Sequence, residues 1–221
     1  MKLEGLKINF LGDSITEGYL AGGEDKIYHA VLAKEAKLAI VRNYGISATK
    51  YAFQKGYPER PKTDADGQSF CERFSEMDDD ADIVVVFGGT NDYGHGDAPI
   101  GGFTDRTPET FYGACHYLYQ GLIKKYLGKQ IVIMTPLHQV GEYKNTGSTK
   151  TWGSGTLKDY VNIIREVAEY YSLPVLDLYA NSGLQPEIEE IREKYIPDGL
   201  HPNAEGHAII AKKLKAFLEQ L

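Results

Sequence analysis

The chain has 221 residues, with 31 acidic against 24 basic side chains and a formal charge of −7 at pH 7. The two signs are interspersed, which argues against a nucleic-acid or anionic-membrane partner, and no stretch reaches the ~20 apolar residues of a membrane helix. With no linker-like stretch and no signal-peptide-like apolar run in MKLEGLKINF, the expectation is one domain over residues 1–221 in the cytoplasm.

Strand-length apolar runs occur at 8–11 (INFL), 39–44 (AIVRNY), 83–87 (IVVVF), 131–135 (IVIMT) and 174–178 (PVLDL). Short, continuous, β-branched runs of this kind suit parallel strands covered on both faces. Helical stripes lie between and after them: Phe111, Cys115, Leu118, Leu122 and Tyr126; then Leu157, Val161, Ile164 and Tyr171; then Ile210, Leu214, Phe217 and Leu221. These stripes read as core faces. The alternation predicts an α/β domain with a parallel sheet and helices on both sides. Cys71 and Cys115, the only cysteines, both fall in helical segments and read as buried thiols. DDDAD at 78–82 reads as a solvated turn ahead of the third strand. Three connections are long, at 49–66, 92–107 and 136–155, and long loops in a compact domain are functional or mobile.

In parallel α/β sheets, functional groups gather beyond the carboxyl ends of the strands. GDS, with Ser14, follows the first strand; NYGIS, with Gly45, the second; GGTND, with Asn91, the third. IPDGLHPNAEGH, before the last helix, carries Asp198 and His201, with Asn203 placed as N-cap and Glu205 in the first turn. Taken singly, Ser14 reads as a turn cap, Gly45 as a positive-φ residue, Asn91 as a turn residue and His201 as a surface histidine. Together they supply what acyl transfer requires: a hydroxyl nucleophile, a base, a carboxylate to orient it, and oxyanion donors. Asp198 and His201 are three apart, so one tight loop can set the carboxylate against one imidazole nitrogen and leave the other facing Ser14. The backbone N–H groups of Ser14 and Gly45 and the Asn91 amide are the candidate donors.

The order of these blocks resembles the SGNH hydrolases, also called the GDSL-type esterase and lipase family. GDS at 12–14, NYG at 43–45, GTND at 89–92 and DGLH at 198–201 stand where that family carries its blocks. The resemblance implies Ser14 as nucleophile, Gly45 and Asn91 as oxyanion donors, Asp198 as orienter and His201 as base. It also implies a flavodoxin-like, three-layer α/β/α fold around a mostly five-stranded parallel sheet. Isoleucine at 15 replaces the family's leucine, and Ala48 stands where a further glycine is often seen.

Two readings compete with an enzyme: a flavin-binding module with GDSITEG cradling a phosphate, and a glycan-binding pseudoenzyme. The first leaves Asp198 and His201 without a role, and the second is disfavoured by the intact set of catalytic parts. No G-x-S-x-G, H-E-x-x-H, P-loop or G-x-G-x-x-G occurs, the other histidines lack metal-ligand spacing, and His95 and Asp97 read as solvent-facing. No cofactor or metal is expected. Tyr93, Tyr143 and Trp152, on the long loops among Gln139, Asn145 and Thr149, are the candidate substrate-binding residues. Aromatic faces with polar neighbours suit sugar rings, so the expected partner is a small-molecule ester, with a short acyl group on a polar or carbohydrate alcohol. A lipase, lysophospholipase or thioesterase of the same family is the alternative.

Overall fold

The computed structural model describes residues 1–56, 67–150 and 152–221. Its sheet has five parallel strands in the order β2-β1-β3-β4-β5: β1 (Lys7–Gly12), β2 (Ile40–Gly45), β3 (Ile83–Phe87), β4 (Gln130–Met134) and β5 (Val175–Leu176). The helices are α1 (Ser14–Glu17), α2 (Tyr28–Ala36), α3 (Phe70–Arg73), α4 (Thr90–His95), α5 (Phe111–Lys125), α6 (Leu157–Tyr170), α7 (Leu178–Asn181), α8 (Glu189–Tyr195) and α9 (Ala204–Gln220).

Side chains of successive strand residues leave the sheet on opposite faces, and the core divides accordingly. Leu11, Val84, Val86, Ile131 and Ile133 pack with α3, α5 and α6 on one face. Ile8, Phe10, Val85, Phe87, Val132 and Met134 pack with α1, α2 and α9 on the other. The result is the three-layer α/β/α arrangement that the strand–helix alternation predicts.

Strands β1, β3 and β4 are buried nearly throughout, whereas β2, at the sheet edge, is half-exposed along its length. The expected fifth strand is shorter than its apolar run. Asp177 leaves the ladder to cap α7, accepting from the Ala180 N–H at 3.1 Å and pairing with Arg165 at 2.7 Å. The acidic turn at 78–82 is exposed at Asp78, Asp79 and Asp80, as a solvated turn should be, and it also carries ion pairs. Asp80 pairs with Lys7 at 2.7 Å and Arg42 at 2.8 Å, Asp82 pairs with Lys129 at 3.1 Å, and Asp79 meets Lys125. Cys71 and Cys115 are buried free thiols. Of the long connection expected at 49–66, the part at 57–66 lies outside the described residues. Among the described residues, no helix is long and apolar enough to cross a membrane.

Candidate active site

The strand order reverses direction at β1, whose neighbours are β2 and β3, and a crevice opens beyond such a switch point. Ser14 begins α1 immediately beyond β1. Asp13 caps that helix, its carboxylate accepting from the Ile15 N–H at 3.0 Å. Burial raises Asp13 from an ordinary 3.8 to about 7, with nearby Asp92 adding to the shift and Arg73 and the Ile15 N–H opposing it.

Across the crevice, the loop ahead of α9 delivers His201. Asn203 caps α9 as its position predicts, accepting from the Glu205 and Gly206 N–H groups at 3.1 Å each. His201 Nε2 stands 2.9 Å from Ser14 Oγ, and Nδ1 stands 2.7 Å from Asp198 Oδ2. Because a carboxylate only accepts, Nδ1 carries the proton and Nε2 is left to accept from the serine hydroxyl. Asp198 also accepts from the backbone N–H groups of His201 at 2.7 Å and Leu200 at 2.9 Å. Partial burial pushes its pKa up, but the bonds from His201 and Leu200 outweigh that and hold it below the ordinary value.

Asn91 lies in the first turn of α4, just past β3, and is 5% exposed. Its Nδ2 donates to the Thr49 carbonyl at 3.0 Å, and its Oδ1 stands 3.0 Å from His95 Nε2. Ser14, Asn91, Asp198 and His201 thus line one cleft of about 340 Å³, completed by Tyr19, Ser47, Ala48, His95 and Leu200.

Gly45 is not among the cleft residues, which corrects its expected role. Its N–H donates at 2.8 Å to Asn43 Oδ1 and is already committed. Glycine is required there for another reason: a Cβ would sit 2.1 Å from Glu17 N and 2.6 Å from the Thr16 carbonyl carbon, where α1 passes over the end of β2. Ala48 takes the place in the cleft. Its φ of 63° lies in the left-handed region, and among the described residues its N–H donates to no group. The loop is held one residue earlier by Glu17, whose carboxylate accepts from Ser47 N–H at 2.8 Å and from Ser47 Oγ.

None of the three expected substrate-binding aromatics lines this cleft. Tyr93 is fully buried, with its hydroxyl donating to the Gly141 and Lys144 carbonyls. Tyr143 is 71% exposed and stands outside the cleft. Trp152 lines a separate pocket of about 520 Å³ with Asp97, Ile100, Asn145 and Ser154. The aromatic residue in the cleft is Tyr19, on the turn after α1. His95 and Asp97 are not solvent-facing either. His95 lines the cleft, while Asp97 is 2% exposed and accepts from the Lys55 N–H at 2.9 Å and the Gly56 N–H at 2.5 Å. Among the described residues, no group of three or more His, Cys, Asp or Glu side chains stands where it could hold a metal ion.

The chain matches the GDSL-like lipase/acylhydrolase family over residues 10–209 and belongs to it, which makes it an ester-hydrolysing enzyme of the esterase and lipase type. A solved structure from Lactobacillus plantarum is 30% identical, with a TM-score of 0.82, covering 98% of this chain and 98% of that one. A possible lipase from Chitinophaga pinensis is 22% identical, with a TM-score of 0.66 over 97% of this chain and 98% of its own. A carbohydrate acetylesterase family member from Sinorhizobium meliloti is 17% identical, with a TM-score of 0.65 over 97% and 98%. At the last two identities the likeness is one of fold. No curated protein matches the chain.

Proposed function

We propose that the protein is a serine esterase acting on short acyl esters, acetyl esters foremost, of a polar or carbohydrate alcohol. The observation that carries this reading is the relay from Ser14 Oγ through the His201 imidazole to the Asp198 carboxylate, at 2.9 and 2.7 Å. Ser14 Oγ attacks the ester carbonyl carbon as its proton passes to His201 Nε2. Asp198 holds the imidazole in orientation and stabilises the imidazolium. The carbonyl oxygen becomes an oxyanion, received by the backbone N–H groups of Ser14 and Ala48 and by the Asn91 amide. His201 then gives the proton to the departing alcohol oxygen, leaving Ser14 acylated. Water, activated by His201, attacks the acyl carbon to release the acid and restore the serine.

The size of the cleft supports a short acyl group. At about 340 Å³ it stands at the small end of ligand sites, with room for a short acyl group against Tyr19, Ala48 and Leu200. A long chain requires a continuous apolar trough. Support for a carbohydrate alcohol comes from the pocket against Trp152, where an aromatic ring meets Asn145 and Ser154 and Asp97 lies two residues from cleft-lining His95.

The test is covalent. A fluorophosphonate probe should label Ser14, located by peptide mass mapping, and Ser14→Ala should abolish both labelling and p-nitrophenyl acetate turnover. Labelling at another serine, with turnover retained in Ser14→Ala, rejects the reading.

A further inference from the structure

The cleft holds a second histidine that the acyl-transfer chemistry does not use. His95 closes α4 one helical turn after Asn91, and residues four apart on a helix share a face. The orientation of the Asn91 amide is fixed by its partners. Thr49 O can only accept, so the NH2 group faces Thr49, at 3.0 Å, and the carbonyl Oδ1 faces His95, at 3.0 Å. Since Oδ1 also only accepts, His95 Nε2 is the donor in that contact. One N–H of the Asn91 amide is spent on Thr49, and the other remains for a group in the cleft.

We infer that His95 is a positioning residue for the oxyanion site, holding the Asn91 amide in the orientation that presents its free N–H and strengthening that N–H as a donor. This rests on the reading of Asn91 as an oxyanion donor. The physical basis is cooperative polarisation: a donor on the carbonyl end of an amide withdraws charge from its nitrogen, so the N–H becomes a better donor. The gain grows as negative charge develops on the substrate oxygen, so it appears in the transition state more than in the bound ester. Without His95, the Asn91 carbonyl loses its partner and the Thr49 contact alone holds the amide.

The test is a double-mutant cycle on p-nitrophenyl acetate with His95→Ala, Asn91→Ala and the pair, in the full chain, each with a melting curve. His95→Ala should lower kcat on the order of tenfold, the worth of one well-placed hydrogen bond, and leave KM within about twofold. In the Asn91→Ala background the same change should alter kcat by less than about twofold, because the group it acts through is gone. His95→Gln, whose Nε2–H reaches a similar position, should recover most of the lost rate. Where His95→Ala does not fold, His95→Phe keeps the ring volume, removes the donor and takes its place in the cycle. Equal losses in the two backgrounds, or a loss confined to KM, would overturn the inference and mark His95 as a direct substrate contact. An Asn91→Ala enzyme with unchanged kcat would instead remove the donor reading itself, and the inference with it.

Discussion

Tyr19 sets its ring edge-to-face against the His201 imidazole, with centroids 4.7 Å apart and planes at 69°. The tyrosine is half open to solvent and shares the cleft wall with Ser14, so the ring covers one side of the imidazole while Asp198 holds its far nitrogen. Among the described residues the Tyr19 hydroxyl has no hydrogen-bond partner, so its contribution lies in the ring. Tyr19→Phe should keep kcat/KM within about twofold of wild type, and Tyr19→Ala should lower it by roughly three- to tenfold, the range expected of one aromatic pair. Steady-state kinetics on p-nitrophenyl acetate check this. An unchanged Tyr19→Ala enzyme shows that the imidazole holds its place without the ring.

The two small residues at the end of β2 should respond in opposite ways. Gly45→Ala drives a methyl into the backbone of α1, at 2.1 Å from Glu17 N. The expected result is a destabilisation of about 1–3 kcal/mol, the usual cost of overpacking, with loss of activity as Ser14 is displaced. Ala48→Gly removes a Cβ from a left-handed backbone at φ 63° while keeping the N–H. Its kcat should stay within about twofold of wild type, since the N–H proposed as oxyanion donor is retained. Its stability should change by less than about 1 kcal/mol, because relief of strain offsets the greater freedom of the unfolded chain. Urea unfolding measures both variants. A stable, active Gly45→Ala enzyme would contradict the close approach of α1.

Part of the candidate site is legible in the sequence. Ser14 and Asn91 follow strand ends that apolar runs announce, and Asp198 and His201, in the loop ahead of the last helix, are close enough in the chain for one loop to join them. The backbone N–H proposed as second oxyanion donor was not legible, because it depends on where an N–H is directed. At Gly45 that is decided by the Asn43 side chain, which is itself set by tertiary packing. His95 carried a usable signal, its spacing of four from Asn91. Gly94 and Gly96 made the segment read as a loop, but the helix runs on through Gly94. Tyr93 and Tyr143 were not legible for a different reason. Whether a loop tyrosine points into the core, as Tyr93 does, or into solvent, as Tyr143 does, is settled by packing partners distant in sequence.

Stability should vary with pH through two opposed sets of buried groups. Burial lowers His29 and His207 from an ordinary 6.5 to about 4, so between those values the unfolded chain binds more protons and stability rises with pH. Burial raises Asp13 from 3.8 to about 7 and Asp92 from 3.8 to about 6. In that window the folded state binds the extra proton, so their contribution falls as pH rises. Asp13→Asn keeps the cap acceptor for Ile15 and removes one falling contribution. Its unfolding free energy should climb more steeply with pH from about 4 to 6.5 than the wild type's. His207→Gln should do the reverse. Urea unfolding at closely spaced pH values is the measurement, and parallel profiles for all three proteins would show that these groups do not set the pH dependence.

The substrate prediction turns on the separation of Trp152 from the Ser14 cleft. If the acyl group fills the 340 Å³ cleft and the alcohol extends toward the 520 Å³ pocket, the enzyme should prefer p-nitrophenyl acetate to the octanoate and should release acetate from acetylated saccharides. Those preferences alone leave the pocket untested. Trp152→Ala should therefore raise KM for an acetylated saccharide severalfold, in keeping with the loss of one ring-stacking contact, and leave p-nitrophenyl acetate within about twofold, because only the saccharide reaches the indole. Equal losses on both substrates would make Trp152 a structural anchor for the loop around it. A preference for octanoate would place the chain with the lipases or thioesterases of its family, since a short cleft cannot favour eight carbons over two unless a wall such as Tyr19 or Leu200 moves aside.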